Sequence, residues 1–376
     1  MKKLFCVMVS AVIFLIMMPV YVCGAEDVSA GSCILIEART GEILFEKNAY
    51  EKRSMASTTK IMTTLLCLES GNLDDWFVVD SDAIKVEGSS MGLVEGDVVT
   101  KRMLCYGMLL PSGNDAANAT AIKIGGSFER FAEMMNERAE EIGMKNTLFV
   151  TPSGLEGTGH GSTAYDMALL AREALRNSDF REICSQKTAE VEFGNPPYRR
   201  WLKNTNKLLS YCSGTIGVKT GFTDEAGRCL VSACERDGIT LICVTLNDPN
   251  DWADHSKLYD YGFSVLTETS LDTVFKNVAV NVAGGTEDTV TAGIKETITV
   301  GTKTASAEGI TAKAVIPPFV YAPVVAGEEI GTVEYYTADG MYIDSVPVYA
   351  ERSIGEKTIE IRQDNIFEKI LKKFKK

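Results

Sequence analysis

Two periodicities divide this chain. Up to about Leu271, stretches with apolar residues three and four apart alternate with short continuous apolar runs; from there to about Ile361 the patterning is strand-like. A hairpin is expected from Ser32 to Glu46 around Arg39-Thr40-Gly41. A helix is expected from Met55 to Glu69, with Ile61, Leu65 and Leu68 on one face and Gly71 as its stop. A helix-rich stretch follows from Lys101 to Gly143, broken by Pro111-Ser112-Gly113-Asn114, and another helix from Tyr165 to Arg176. Strands return at Cys229–Cys234 and Ile239–Leu246, on either side of Arg236-Asp237-Gly238. Helices set between early and late strands predict an α/β or α+β domain. After Leu271, segments such as Val278–Val282 and Thr297–Val300 enrich β-branched residues between turns, which predicts a small all-β domain ending near Ile361.

The two ends differ from the body. Lys2 and Lys3 precede an apolar run, Leu4 to Met18, then Pro19 and the small residues Gly24 and Ala25. That layout predicts a secretory signal over residues 1–25, and hence an exported, extracytoplasmic protein. Cys23 follows Val22, which does not suit a lipoprotein signal. At the other end, residues 365–376 place Ile366, Phe367, Ile370, Leu371 and Phe374 at helical spacing, with five lysines against Glu368. A basic amphipathic helix of this length predicts association with an anionic membrane surface, and it is too short to span one. The intervening domains are expected at 26–270 and 271–361. The formal net charge of −13 argues against a nucleic-acid partner. The eight cysteines beyond the signal show no C-x-x-C pair, and most lie in apolar runs, which predicts buried thiols.

Three short motifs carry chemistry. Ser57-Thr58-Thr59-Lys60 opens the first helix, where residues three apart share a face, so a lysine amine can meet a serine hydroxyl. A neutral lysine can act as base for such a serine. Ser112-Gly113-Asn114 falls on the break between helices. Ser70-Gly71-Asn72 repeats the same letters, but there Gly71 suits a helix C-cap. Lys219-Thr220-Gly221 opens the late strands; a cation and a hydroxyl suit a carboxylate, and glycine permits close approach to the backbone. Each triplet alone is a weak signal.

As an ordered set, S-x-x-K, S-G-N and K-T-G resemble the motifs of class A β-lactamases and penicillin-binding proteins. The chain is similar along nearly its whole length to the low-molecular-mass penicillin-binding proteins, specifically the serine-type D-alanyl-D-alanine carboxypeptidases. Thr151-Pro152-Ser153-Gly154-Leu155, Ser162–Ala168 and Lys219–Gly227 share in the likeness. The resemblance implies an α+β fold: a transpeptidase-like domain, with an antiparallel sheet and a helical subdomain, followed by a small all-β domain. It implies that Ser57 is the nucleophile, Lys60 its base and Ser112 a proton relay. Asn114 would orient Lys60 or the substrate amide, and Lys219, Thr220 and Gly221 would bind the terminal carboxylate end. The backbone N–H groups of Ser57 and Phe222 would form the oxyanion hole. The implied partners are peptidoglycan stem peptides ending in D-Ala-D-Ala, with β-lactams as covalent inhibitors. No cofactor or metal is expected. Phe222 stands where some members carry His, so a side-chain contribution there is lost.

Rival chemistries find less support. His160 and His255 are the only histidines, too few for a His-rich zinc site, and no G-x-S-x-G elbow supports a Ser-His-Asp triad. A class A β-lactamase would carry a deacylating Glu after the second motif; between Thr147 and Ser178 only Glu156 is near, in a Gly-rich turn. A D,D-endopeptidase and a non-catalytic wall-binding scaffold stay open as alternatives.

Overall fold

The computed structural model of the protein describes residues 28–304 and 306–358. The expected signal (1–25) and basic helix (365–376) lie outside the described residues. Contacts divide the chain into two compact units, one comprising 28–268 with 301–304, the other 269–300 with 306–358.

The first unit is built on a five-stranded antiparallel sheet. Its strands are β1 (Ser32–Glu37), β2 (Ile43–Lys47), β3 (Thr215–Thr223), β4 (Gly227–Arg236) and β5 (Ile239–Leu246), in spatial order β2-β1-β5-β4-β3. Antiparallel sheets often leave one face to water; this one is covered on both, which explains its unbroken apolar runs. Along β1, Ile34 and Ile36 join the core beneath the helices, whereas Cys33 and Leu35 join a second core on the opposite face. Along β5, Ile242 and Val244 face the first, Leu241 and Cys243 the second.

The helical half surrounds α1 (Lys60–Glu69), nine of whose ten residues are buried. Gly71 follows it with φ +66°, as expected of a residue past a helix end. Around it stand α2 (Lys101–Leu109), α3 (Asn114–Gly125), α4 (Phe128–Ile142), α5 (Ala164–Ala174) and α6 (Ser178–Ser185). The expected break at Pro111–Asn114 separates α2 from α3. A second break, not among the expected ones, falls on Gly125-Gly126-Ser127: Gly126 turns left-handed at φ +76°, and the Ser127 hydroxyl caps α4 by accepting from Arg130 N. A further helix, α7 (Asp251–Val265), covers the sheet's other face, with Gly262 pressed so near Leu35 and Leu241 that a Cβ would stand 2.7 Å from Leu241. A hairpin of Thr188–Gly194 and Pro197–Lys203, not among the expected elements, also belongs to this unit.

The second unit is all-β. Strands Thr311–Val315, Glu329–Tyr336, Tyr342–Ala350, Thr289–Ile294, Asn277–Ala283 and Phe319–Tyr321 hydrogen-bond in that order. Alternation selects its core: Val280 and Val282, Val333 and Tyr335, Val346, Val348 and Ala350 point inward. The protein is thus α+β, with a small all-β domain after it. All eight described cysteines are free and buried.

Candidate active site

Ser57 lies on a 3₁₀ turn, Ala56–Thr59, that leads directly into α1. The turn is strained at its first residue: Ala56 is non-glycine yet left-handed, at φ +46°. Neighbouring groups hold it there. The Thr58 hydroxyl donates to Met55 O at 2.6 Å, and the Thr59 hydroxyl to Ala56 O at 2.8 Å. His160 Nδ1 accepts from Val150 N at 3.0 Å, so its Nε2–H is free to donate to Thr59 Oγ1, 2.9 Å away. Burial, helped by Lys52, pulls the His160 pKa down to about 4, which keeps the ring neutral in this role.

Lys60 is fully buried, and its Nζ meets three oxygens: Asn114 Oδ1 at 2.7 Å, Ser153 O at 2.7 Å and Ser57 Oγ at 2.8 Å. The first two can only accept. A neutral amine therefore spends its two N–H groups on them and turns its lone pair to the one partner that can donate, Ser57. Burial, reinforced by the cation of Lys219 and opposed by Asp115, holds the Lys60 amine well below the usual lysine range.

The second motif approaches from the α2–α3 break. Ser112 is buried and left-handed at φ +65°. Asn114, first residue of α3, is pinned by its Nδ2 donating to Glu87 O at 2.6 Å, which aims Oδ1 at Lys60. The decoy Ser70-Gly71-Asn72 lies at the other end of α1 and receives Lys101, whose Nζ donates to Ser70 Oγ at 2.7 Å.

The third motif lies on β3. Lys219 is buried, its Nζ donates to Thr220 O at 2.8 Å, and burial pulls its pKa down to about 7. Thr220 Oγ1 is 2.6 Å from Thr205 Oγ1. Gly221 also has a use within the fold. A Cβ there would stand 3.0 Å from Met55 O and 3.1 Å from Ser57 N, so the bare backbone first serves the approach of β3 to the serine turn. The ring of Phe222 is 64 % exposed. Ser57, Ser112, Thr220, Gly221 and Phe222 all border one open cleft of ≈ 840 Å³.

Several contributors are invisible to spacing. Asp115, buried beside the second motif, accepts from Ser90 Oγ and from the N–H groups of Met91, Gly92 and Leu93, fixing a loop that lines the cleft. Ser153 acts through its carbonyl, and its one sequence signal is the family likeness of Thr151–Leu155. Arg228 and Trp201 also border the cleft. Among the described residues no group of three His, Cys, Asp or Glu side chains is placed to hold a metal ion.

Residues 20–250 match the family model for D-alanyl-D-alanine carboxypeptidase, and residues 269–356 match that for penicillin-binding protein 5, C-terminal domain. D-alanyl-D-alanine carboxypeptidase DacF of Bacillus subtilis is 33% identical over 337 residues, 86% of each chain. The crystal structure of D-alanyl-D-alanine carboxypeptidase DacD from Francisella tularensis superposes with a TM-score of 0.63 at 28% identity, covering 89% of this chain and 95% of that one. The Streptomyces K15 DD-transpeptidase superposes at 0.61 with 36% identity, over 64% of this chain and 98% of its own. The chain belongs to the D-alanyl-D-alanine carboxypeptidase family, and it is a hydrolase of the serine-peptidase type.

Proposed function

We propose that the protein removes the terminal D-Ala from peptidoglycan stem peptides through an acyl-enzyme on Ser57. The observation that carries this reading is the Lys60 amine, dry and 2.8 Å from Ser57 Oγ, with its other two bonds made to pure acceptors. Ser57 Oγ attacks the carbonyl carbon of the penultimate D-Ala and its proton passes to Lys60. The oxyanion is held by the backbone N–H groups of Ser57 and Phe222. The C–N bond then breaks, and Ser112 relays a proton to the leaving amine, which departs as D-Ala. Water, deprotonated in turn by Lys60, hydrolyses the ester. Asn114 orients Lys60, while Lys219, Thr220 and Gly221 border the terminal carboxylate. A β-lactam presents a similar acyl group and carboxylate, and acylates Ser57.

The test is D-alanine release by the soluble protein, residues 26–364, from a peptide ending in D-Ala-D-Ala, with Ser57→Ala as control. Release that persists in Ser57→Ala would remove the serine from its role. The same assay with an added amine acceptor reads transfer, the activity named for the Streptomyces K15 relative.

The remainder of the reading concerns place. The N-terminal pattern supports export, and the +4 charge of residues 365–376 beside an apolar stripe supports attachment to the outer face of the cytoplasmic membrane. No described helix is long and apolar enough to cross a membrane. Deleting residues 365–376 is expected to release the mature protein into the soluble fraction with its activity retained. Tight membrane association of that deletion would sink the anchor.

A further inference from the structure

Six of the eight described cysteines meet in pairs. Cys33 with Cys243, Cys67 with Cys105, and Cys212 with Cys234 each hydrogen-bond thiol to thiol, and all six are free. The pairs differ in their surroundings. Cys33, Cys67, Cys105 and Cys243 have no exposed surface and lie inside the apolar cores. Burial pushes the Cys105 and Cys243 thiols well above the usual thiol range, and the sealed core keeps reagents from either pair.

The third pair stands at the open end of the β3–β4 hairpin. Cys212 follows a single helical turn, Leu208–Tyr211, and keeps 8 % exposure. Residues 212–215 then fold back toward β4, with Thr215 N donating to Cys212 O at 3.2 Å. Thr215 is the register partner of Cys234. Gly214 makes the close approach possible. It is left-handed at φ +86°, and a Cβ on it would strike Glu235 O and stand 3.1 Å from Cys234 Sγ. Its carbonyl accepts from Glu235 N at 2.8 Å. The turn is thus strapped to β4 beside Cys234, and the two sulfurs are held together.

The neighbourhood also sorts the two thiols by reactivity. Arg236 reaches back over the turn, its Nε donating to Ser213 O at 3.4 Å and its Nη1 to Asp260 Oδ1 at 3.0 Å. A hydrogen bond from the Cys234 thiol pulls the Cys212 pKa down to about 6, against the opposing effect of burial and with help from Thr215 and Arg236. The same bond, with burial, pushes the Cys234 thiol up. One sulfur is therefore a thiolate at neutral pH and its neighbour keeps its proton.

We propose that Cys212 and Cys234 are a thiol–disulfide exchange site, which closes to an intramolecular disulfide when it meets a small disulfide oxidant. The Cys212 thiolate attacks one sulfur of the oxidant, R–S–S–R, forming a mixed disulfide and releasing RS⁻. The Cys234 thiol gives its proton to that RS⁻ and attacks the Cys212 sulfur, releasing the second RS⁻. Two electrons pass from the pair to the oxidant, which leaves as one thiol and one thiolate. The new bond closes a loop that contains Lys219, Thr220 and Gly221, and it fixes the end of the hairpin opposite its turn.

The test holds the folded soluble protein, residues 26–364, with oxidised glutathione at neutral pH. Free thiols are then counted in denaturant, and the linked peptides are mapped by mass spectrometry. The count is expected to fall from eight to six, with the link joining Cys212 to Cys234. In Cys234→Ser the second sulfur is gone, and one glutathionyl group is expected to stay on Cys212. Cys212→Ser is expected to keep every remaining thiol. An unfolded fraction would oxidise all pairs alike, so a link confined to one pair belongs to the folded molecule. Eight thiols unchanged in the wild-type protein overturn the proposal. A link between other cysteines overturns it too, as does glutathione that stays on wild-type Cys212 without closing the ring.

Discussion

A Cβ on Gly154 would stand 1.9 Å from the carbonyl oxygen of Ala56, so the 151–155 segment rests directly on the turn that presents Ser57. Gly154 is also left-handed, at φ +85°. Gly154→Ala must push the turn or lift the Ser153 carbonyl from Lys60, and either movement spoils the base. The expected result is a fall of at least about tenfold in the rate of labelling by a fluorescent penicillin, in line with misplaced reacting groups. Labelling at the wild-type rate would show that the contact does not govern the turn.

The paired lysines set the pH response. Lys60 must be neutral to take the serine proton, so acylation rises with pH as Lys60 loses its own. Lys219, pulled to about 7, loses its charge on the alkaline side, and with it the attraction it would offer the substrate's terminal carboxylate. The profile is expected to be bell-shaped, with limbs that belong to the coupled pair. Burial is the larger cause of the Lys60 shift and Lys219 the second. Lys219→Met should therefore raise the Lys60 pKa and move the rising limb to higher pH. A rising limb that stays put would separate the two amines.

How far the site can be read from sequence depends on whether its parts are side chains at fixed spacing. Ser57 and Lys60 share a face because three residues on a helix do so, and the break at Pro111–Asn114 announces itself through its turn residues. Asp115 and the Ser153 carbonyl act across folded distance, Asp115 upon residues more than twenty positions away, and no local pattern encodes that. The Thr188–Lys203 hairpin is legible in one strand only: Ala189, Val191 and Phe193 alternate inward along Thr188–Gly194, whereas Pro197–Lys203 is mostly exposed, with Arg199, Arg200 and Trp201 where a buried strand would carry aliphatics. In the central sheet the opposite holds. Ile239–Leu246 is legible as a strand because both of its faces are buried.

Stability should fall in mild acid, in part because of His255. Its ring is fully buried between Ser232 and Thr245, and burial pulls its pKa down to about 3. In the unfolded chain it titrates at about 6.5. Between those values the unfolded state binds the extra proton, so stability rises with pH and is lost as pH falls from about 6.5 toward about 3. From pH 7 to pH 5 this one group accounts for about 2 kcal/mol. His255→Gln is expected to flatten the unfolding free energy against pH by that amount, measured by urea titration; an unaltered slope would assign the acid loss elsewhere.

Asp115→Asn presents an amide nitrogen to a loop made of N–H and O–H donors. The change is expected to cost about 2–3 kcal/mol of stability, as for a broken buried charged hydrogen bond. It should also raise KM for peptide substrates, because residues 89–91 border the cleft. A stable variant with wild-type KM would make the loop independent of its anchor.

The groups proposed to react come from two halves of one unit: Ser57, Lys60, Ser112 and Asn114 from the helical side, and Thr220, Gly221 and Phe222 from a single β-hairpin. A penicilloyl group on Ser57 whose carboxylate reaches the hairpin would then add a brace across a joint that the Arg181–Glu235 ion pair already ties at one point. The drug-bound molecule should be the stiffer one, slower to exchange amide hydrogens along β3 and harder for a protease to open. An inhibitor that silences the enzyme would in that way prolong its physical survival.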